Sequence, residues 1–116
     1  MLRAADANFA VALERLDDGV MVLALSGELD VYSVARLRTA LSELPPGLDV
    51  VLDLSGVPFV DSAGLGALIA GIRRIREARG RAFVVSARPT VARLLHVTGF
   101  ERIAPIHRSL EAALAN

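Results

Sequence analysis

A short apolar run in the middle of the chain constrains the fold most. Residues 50–54, VVLDL, are apolar except for Asp53 and rich in β-branched side chains, which is typical of a central strand covered on both faces. Residues 82–85, AFVV, form a second run of this kind. Because a strand, a helix and a strand in this order favour a parallel crossover, the helical pattern between the runs predicts parallel pairing. That pattern consists of apolar residues at helical spacing, namely Leu65, Leu68, Ile69, Ile72 and Ile75.

The alternation of strands and helices extends towards the N-terminus. Residues 9–16 alternate apolar and polar side chains, and Asp18-Gly19 is a turn signal in front of an apolar segment at 20–25. This pattern predicts an opening antiparallel hairpin. Asp30 is then placed to cap a helix, and the sequence PPG at 45–47 is expected to end that helix. The apolar positions of that helix are Val34, Leu37, Leu41 and Leu44.

The C-terminal third predicts a further helix, a short strand and a last helix. Pro89 suits the first turn of the first of these helices, and Gly99 is expected to end it. A brief strand is expected at 103–106. Ser109 is placed to cap the final helix.

Together these elements predict a single α/β domain with the order β-β-α-β-α-β-α-β-α. Its sheet is mixed and mostly parallel, opened by the antiparallel hairpin, with about four helices around it. We place the domain at residues 8–116 and expect a flexible N-terminal segment at 1–7. A chain of 116 residues buries enough surface to fold as one domain.

Charge and composition exclude several classes of function. Thirteen basic residues balance thirteen acidic ones, so no overall field attracts the chain to nucleic acid or anionic lipid. All the basic residues are Arg, which excludes a phosphate-loop Lys, a Schiff-base Lys and a receiver-type Lys. There is no Cys, no signal-peptide core and no run near the roughly 18 apolar residues of a membrane span. We therefore expect a soluble, cytoplasmic protein without direct contact to nucleic acid or membrane.

The motif at 61–66, DSAGLG, lies where a loop is expected to become a helix. Ser62 has a side chain that can cap the free N–H groups of the first turn, while Ala63 and Gly64 leave its surroundings uncrowded. Another protein could approach the hydroxyl closely, and the helix amides would stabilise a negative charge placed on it. On the residues alone, a serine that only caps a helix is the simpler explanation.

Two stretches around this motif resemble the signature segments of STAS-domain anti-sigma factor antagonists. They are LSGELD at 25–30 and VLDLSGVPFVDSAGLG at 51–66. The resemblance continues, in the family's order, through AFVV at 82–85, LLHVTGF at 94–100 and SLEAAL at 109–114. It therefore spans nearly the whole chain.

The resemblance implies a STAS domain that acts as a binding module and not as an enzyme. An anti-sigma factor with serine kinase activity would phosphorylate Ser62. The unmodified protein would bind that anti-sigma factor and so release a sigma factor, and a metal-dependent serine phosphatase would restore the binding form. ATP and its metal ion would belong to the kinase, so this chain is expected to hold no cofactor or metal. Ala63 departs from the commonest family pattern, which has a second hydroxyl residue there.

The predicted contact surface surrounds Ser62 on two connections of the fold. The partner-binding residues that we predict are Gly27, Glu28, Asp30, Phe59, Asp61, Ser62, Ala63 and Gly64. The apolar residues at 25–29 and 59–60 are candidates for the same surface, or else part of the core. The alternative function is a STAS scaffold module of a stress-sensing or lipid-transport complex with a different partner.

Three aspartates form a second constellation. Asp30, Asp53 and Asp61 are expected near one end of the sheet, which would suit a magnesium site or a phosphoacceptor carboxylate. Against this, Asp30 has a simpler role as a cap, and Asp53 has a simpler role as an acceptor for loop amides.

A hydrolase with Ser62 as its nucleophile would need Gly two positions before Ser62, where the sequence has Val60.

Arginines and histidines form the remaining candidate sites. The arginines of the central helix could meet nucleic acid or an acidic partner, but a solvated face near the negative end of the helix dipole explains them more simply. They are Arg73, Arg74, Arg76 and Arg79. His96 and His107 lie in other segments than Ser62 and are expected on a helix face or in a loop.

Overall fold

A computed structural model describes residues 9–16 and 19–115 of the chain. The predicted flexible segment at 1–7 and Asp18 of the predicted turn lie outside these residues. In the described part, the strands are β1 (Phe9–Arg15), β2 (Val20–Gly27), β3 (Asp49–Gly56), β4 (Ala82–Val85) and β5 (Ile106–His107). The α-helices are α1 (Val34–Ser42), α2 (Ser62–Glu77), α3 (Pro89–Val97) and α4 (Leu110–Leu114), with a 3₁₀ turn at Phe100–Arg102.

The strands form one sheet in the order β1-β2-β3-β4-β5. The pair β1/β2 is antiparallel, and every following pair is parallel. This confirms the predicted mixed sheet that an antiparallel hairpin opens. Because β2 to β5 are parallel, their carboxyl ends meet at one edge of the sheet, where ligand and partner sites of such folds gather.

Alternating residues of β3 reach two separate apolar clusters. Leu52 belongs to the main core, to which α1, α2 and α3 contribute buried side chains such as Leu68. Val51 belongs to a smaller cluster on the opposite face, which contains Ala113 of α4. Each of these fully buried Leu side chains contributes roughly 1.5–3 kcal/mol to folding. The prediction that this strand is covered on both faces is therefore confirmed.

The strand predicted at 103–106 is wrong in its extent. A 3₁₀ helix at Phe100–Arg102 comes directly before this segment, and residues 103 and 104 continue its turn. Phe100 and Ala104 are both buried in the main core, and the amide of Ala104 donates to the carbonyl of Phe100 at 3.2 Å. Only Ile106–His107 pairs as a strand. Pro105 joins the sheet through its carbonyl, which accepts from the amide of Val84 at 3.0 Å.

Helix α1 ends two residues before Leu44, which the sequence pattern had placed in the helix. The helix stops at Ser42, since a residue in front of a proline disfavours the helical conformation. Leu44 still packs against the main core.

In the described residues no helix combines the length and apolar composition needed to cross a bilayer.

An ion pair joins the start of β3 to the loop in front of β4. The carboxylate of Asp49 accepts from the backbone amide of Arg81 at 2.9 Å and from its guanidinium at 2.8 and 3.1 Å. The side-chain hydrogen bonds from Arg81 lower the pKa of Asp49 below its ordinary value, although burial partly opposes this. The folded state therefore binds a proton at Asp49 less readily than the unfolded chain does.

We predict that Asp49→Asn lowers the free energy of unfolding at neutral pH, and that the difference from wild type shrinks in acid. A carboxyl whose pKa is lowered on folding stabilises the protein above its unfolded pKa, and this contribution is lost as the pH falls through the folded pKa. Urea unfolding at neutral pH and below about pH 4 measures the effect. Glu14→Gln on the exposed side of β1 is the control. A difference between Asp49→Asn and wild type that does not change with pH would contradict this role of the pair.

Candidate functional site

Two connections at the carboxyl edge of the sheet are bound to each other through their backbones. Leu29, which follows β2, forms an isolated parallel bridge with Val60, which follows β3. The amide of Leu29 donates to the carbonyl of Phe59 at 3.0 Å, and the amide of Asp61 donates to the carbonyl of Leu29 at 3.1 Å. The segments on which the sequence placed the functional residues therefore form one continuous site.

The carboxylate of Asp61 fixes the start of α2 and also the neighbouring connection. Its Oδ1 accepts from the amide of Gly64 at 2.8 Å, and its Oδ2 accepts from the amide of Val31 at 3.2 Å. Asp61 has extended backbone angles, with φ −95° and ψ −176°, as a capping residue requires. The prediction that Ser62 caps the helix is therefore wrong, because Ser62 is already the first helical residue.

The side chain of Ser62 is exposed on the first turn of α2. Its hydroxyl makes no hydrogen bond with any residue that the structure describes. The first turn contains no acidic residue of its own, so the free amides there favour a negative charge. The hydroxyl is thus available to another protein at a position where a phosphate group would be stabilised.

Gly64 is a packing residue and not an exposed one. A Cβ atom at this position would collide with the carbonyl oxygen of Leu29 and would lie 2.9 Å from Leu29 Cγ. Leu29 itself is fully buried. Gly64 therefore allows α2 to begin close against the connection after β2, and any part it has in partner binding is indirect.

The connection after β2 is a turn whose polar groups are hydrogen-bonded to one another. The Oδ1 of Asp30 accepts from the amides of Tyr32 at 3.0 Å and Ser33 at 3.1 Å. The hydroxyl of Ser33, a fully buried side chain, donates to the carbonyl of Glu28 at 2.8 Å. Asp30 thus caps the turn in front of α1, whereas Ser33 occupies the cap position of the helix. Gly27 enters this turn with φ +92°, which glycine adopts without strain.

Three large apolar side chains on these connections are exposed. The exposed fractions are 60% for Val31, 64% for Tyr32 and 50% for Phe59. We call these three residues the apolar patch. Because Val31 shares the carboxylate of Asp61 with α2, the patch lies beside the residue that precedes Ser62.

The apolar patch only partly matches the sequence prediction. Phe59 was expected there, but Leu25, Leu29 and Val60 are buried in the main core. Val31 and Tyr32 were missed by sequence reasoning. Their signal is their place between the capping residue Asp30 and the first apolar position of α1, where a side chain lies outside the helical face that packs on the sheet.

The three aspartates bind backbone amides. Asp53 Oδ1 accepts from the amide of Ser55 at 3.0 Å, as the simpler interpretation predicted, and Asp30 and Asp61 hold the amides described above. Within residues 9–16 and 19–115, no group of three His, Cys, Asp or Glu side chains is arranged to hold a metal ion. The sheet edge thus offers a hydroxyl, exposed apolar surface and occupied carboxylates.

The arginines and histidines lie in other environments. Arg73, Arg74 and Arg76 of α2 and Arg79 just beyond its end are exposed, and Arg76 donates to the carbonyl of Ile103 at 3.1 Å. His96 Nδ1 lies 3.0 Å from a carboxylate oxygen of Glu101, and the ring of His107 packs at a tilt against Phe83. Neither histidine is hydrogen-bonded to Ser62.

The sequence and the fold match a known family. The STAS domain family model matches residues 13–113. The chain belongs to the STAS domain family. Among its STAS relatives, the anti-sigma F factor antagonist of Paenibacillus polymyxa is 34% identical over 92 residues, which cover 77% of this chain and 79% of that protein.

A second relative and a solved structure extend the likeness. The anti-sigma-F factor antagonist RsfB of Mycobacterium tuberculosis is 35% identical over 102 residues, which cover 84% of this chain and 80% of that protein. The crystal structure of an anti-sigma factor antagonist from Mycobacterium paratuberculosis superimposes with a TM-score of 0.82 at 33% identity. That match covers 98% of this STAS chain and 97% of the other.

We predict opposite effects from alanine at two glycines of α2. Gly64→Ala lowers the free energy of unfolding by about 1–3 kcal/mol, because the new methyl group overpacks against Leu29. Gly66→Ala is the matched control, since a Cβ atom there meets nothing within 4 Å. It should raise stability by up to about 1 kcal/mol through helix propensity. Urea unfolding compares the two, and equal effects would contradict the close approach of α2 to Leu29.

Proposed function

We propose that this STAS protein is a cytoplasmic anti-sigma factor antagonist that is switched at Ser62. The unphosphorylated form binds an anti-sigma factor with serine kinase activity, and this binding releases a sigma factor. Phosphorylation of Ser62 ends the binding, and a serine phosphatase restores it. The observation that carries the proposal is the exposed hydroxyl of Ser62 beside the apolar patch, which has no hydrogen-bond partner in the described part of the chain. The names of the antagonists to which the chain is similar support it.

In this proposal the chain supplies only the acceptor of the phosphoryl group. The neighbouring carboxylate of Asp61 accepts hydrogen bonds from two backbone amides, which hold it in the cap position and away from the role of a base for the hydroxyl. The kinase therefore provides the base, the nucleotide and the metal ion. The γ-phosphoryl group passes from ATP to the Ser62 oxygen, the hydroxyl proton passes to the base of the kinase, and ADP leaves.

Phosphorylation then acts through charge and size. It adds about −1.5 to −2 charges at the first residue of α2. The helix amides favour this charge by roughly 0.3–1 kcal/mol in the free protein, while Asp61 and desolvation in an interface oppose it in the complex. A hundredfold loss of affinity needs a difference of only about 2.7 kcal/mol between the two states. Because Asp61, Leu29 and Gly64 hold the two connections together, no refolding is required.

The apolar patch provides the binding energy of the unphosphorylated form. Burying a side chain such as Phe59 in an interface contributes roughly 1.5–3 kcal/mol, and tyrosines such as Tyr32 are frequent at interface hot spots. Glu28 follows β2 and Ala63 lies in the first turn of α2, and both complete the proposed contact surface with Gly27 and Asp30. The partner would thus cover Ser62 with a surface that is apolar at one side.

The switch is tested with variants of two exposed serines, Ser62 at the start of α2 and Ser55 near the end of β3. We expect Ser62→Ala to bind the cognate anti-sigma factor with or without ATP, since it cannot be phosphorylated. Ser62→Asp should bind at least about tenfold more weakly than unmodified wild type. Ser55→Ala is the matched control and should lose binding in the presence of ATP as wild type does. If ATP also dissociates the Ser62→Ala complex, Ser62 is not the switch.

The apolar patch is tested by calorimetric titration of the same partner. Tyr32→Ala and Phe59→Ala should each weaken binding at least about tenfold, because each removes a large side chain from the interface. Val97→Ala removes a side chain that is 68% exposed at the C-terminal end of α3 and serves as the control. Wild-type affinity in both patch variants, or an equal loss in the control, would rule out the patch as the contact surface.

A further inference from the structure

A second concave site lies between α3 and the edge strand β5. The cavity has a volume of about 570 Å³ and is lined by Ser86 after β4, by Pro89 and Ala92 of α3, and by Arg108 after β5. This volume falls within the roughly 300–1,000 Å³ typical of small-molecule sites. The residues of the apolar patch and Ser62 do not line it.

Ser86 brings an unpartnered hydroxyl to this cavity. The residue is only 3% exposed, and its Oγ has no hydrogen-bond partner among the described residues. The backbone of Ser86 is satisfied, since its amide donates to the carbonyl of His107 at 2.9 Å. Buried hydroxyl groups almost always have a partner, so this one indicates a group that the protein alone does not provide.

The N-terminus of α3 presents free amides next to Pro89, which lines the cavity. Its cap residue, Arg88, makes no side-chain hydrogen bond to the helix and instead donates through Nε to the carbonyl of Ser55 at 3.0 Å. The amides of Thr90 and Val91 have no hydrogen-bond partner within the described part of the chain. Free amides at the start of a nine-residue helix favour an anion.

Arg108 adds a formal positive charge to this end. The parallel register pairs Val85 of β4 with His107 of β5, so Arg108 lies beside Ser86 where the two strands end. The only acidic residue of the lining is Glu101, whose carboxylate is paired with His96 at 3.0 Å. His96 follows Pro89 by two helical turns, so this pair lies about 10 Å along α3 from its N-terminus.

We propose that this cavity binds a small metabolite that carries a carboxylate or phosphate group. The oxyanion is held by Ser86 Oγ, the first amides of α3 and the guanidinium of Arg108. The apolar part of the molecule lies against Ala92 and Ile106, and a polar group at its far end reaches the His96–Glu101 pair. This site is independent of phosphorylation at Ser62.

Backbone NMR titration of the full chain tests the proposal with two simple probes, sodium phosphate and sodium acetate, at constant ionic strength set by chloride. Saturable shifts of the amides of Ala87, Thr90 and Val91 are expected with at least one probe, and the stronger probe identifies the preferred oxyanion. Ser86→Ala and Arg108→Gln should weaken that binding at least about tenfold.

Arg93→Gln is the control for the loss of charge, because Arg93 is exposed on α3 but does not line the cavity. It should bind the probe as wild type does. Unchanged amide shifts away from the cavity verify that Ser86→Ala and Arg108→Gln are folded. Absence of saturable shifts with both probes would overturn the proposal. Probe binding to Arg108→Gln with the same affinity and the same amide shifts as wild type would also overturn it.

Discussion

The whole candidate site depends on the two hydrogen bonds that the carboxylate of Asp61 accepts. One oxygen holds the amide of Gly64 and so fixes where α2 begins, while the other holds the amide of Val31 in the neighbouring connection. A shorter or uncharged side chain would not satisfy both amides with comparable strength, since charge-assisted hydrogen bonds are the stronger kind. Ser62 consequently stands at the first position of the helix with its hydroxyl directed to no neighbour among the described residues.

The parallel sheet brings the two connections of the site close enough for these hydrogen bonds. It brings the carboxyl ends of β2 and β3 side by side, and the bridge between Leu29 and Val60 continues their pairing beyond the strands. The lack of a side chain at Gly64 then lets α2 approach Leu29 closely. In the proposed switch, a partner would detect the local change of charge at Ser62 without a rearrangement of the domain.

Sequence periodicity predicted the sheet and its helices well, because β3 and α2 bury residues at regular spacing. It could not decide between Asp61 and Ser62 as the cap, since both residue types cap helices and only the backbone angles distinguish them. The strand predicted at 103–106 was wrong in its extent because a 3₁₀ turn at Phe100–Arg102 helps to bury Phe100 and Ala104 in the core. This burial depends on tertiary packing, which the local sequence pattern does not reveal.

The proposed switch requires phosphorylation of Ser62, which intact-mass analysis with site mapping can detect after the wild-type protein is incubated with the cognate anti-sigma factor and ATP. We predict the addition of one phosphoryl group, located on Ser62. An unmodified protein, or a phosphoryl group on Ser55 in place of Ser62, would show that Ser62 is not the switch.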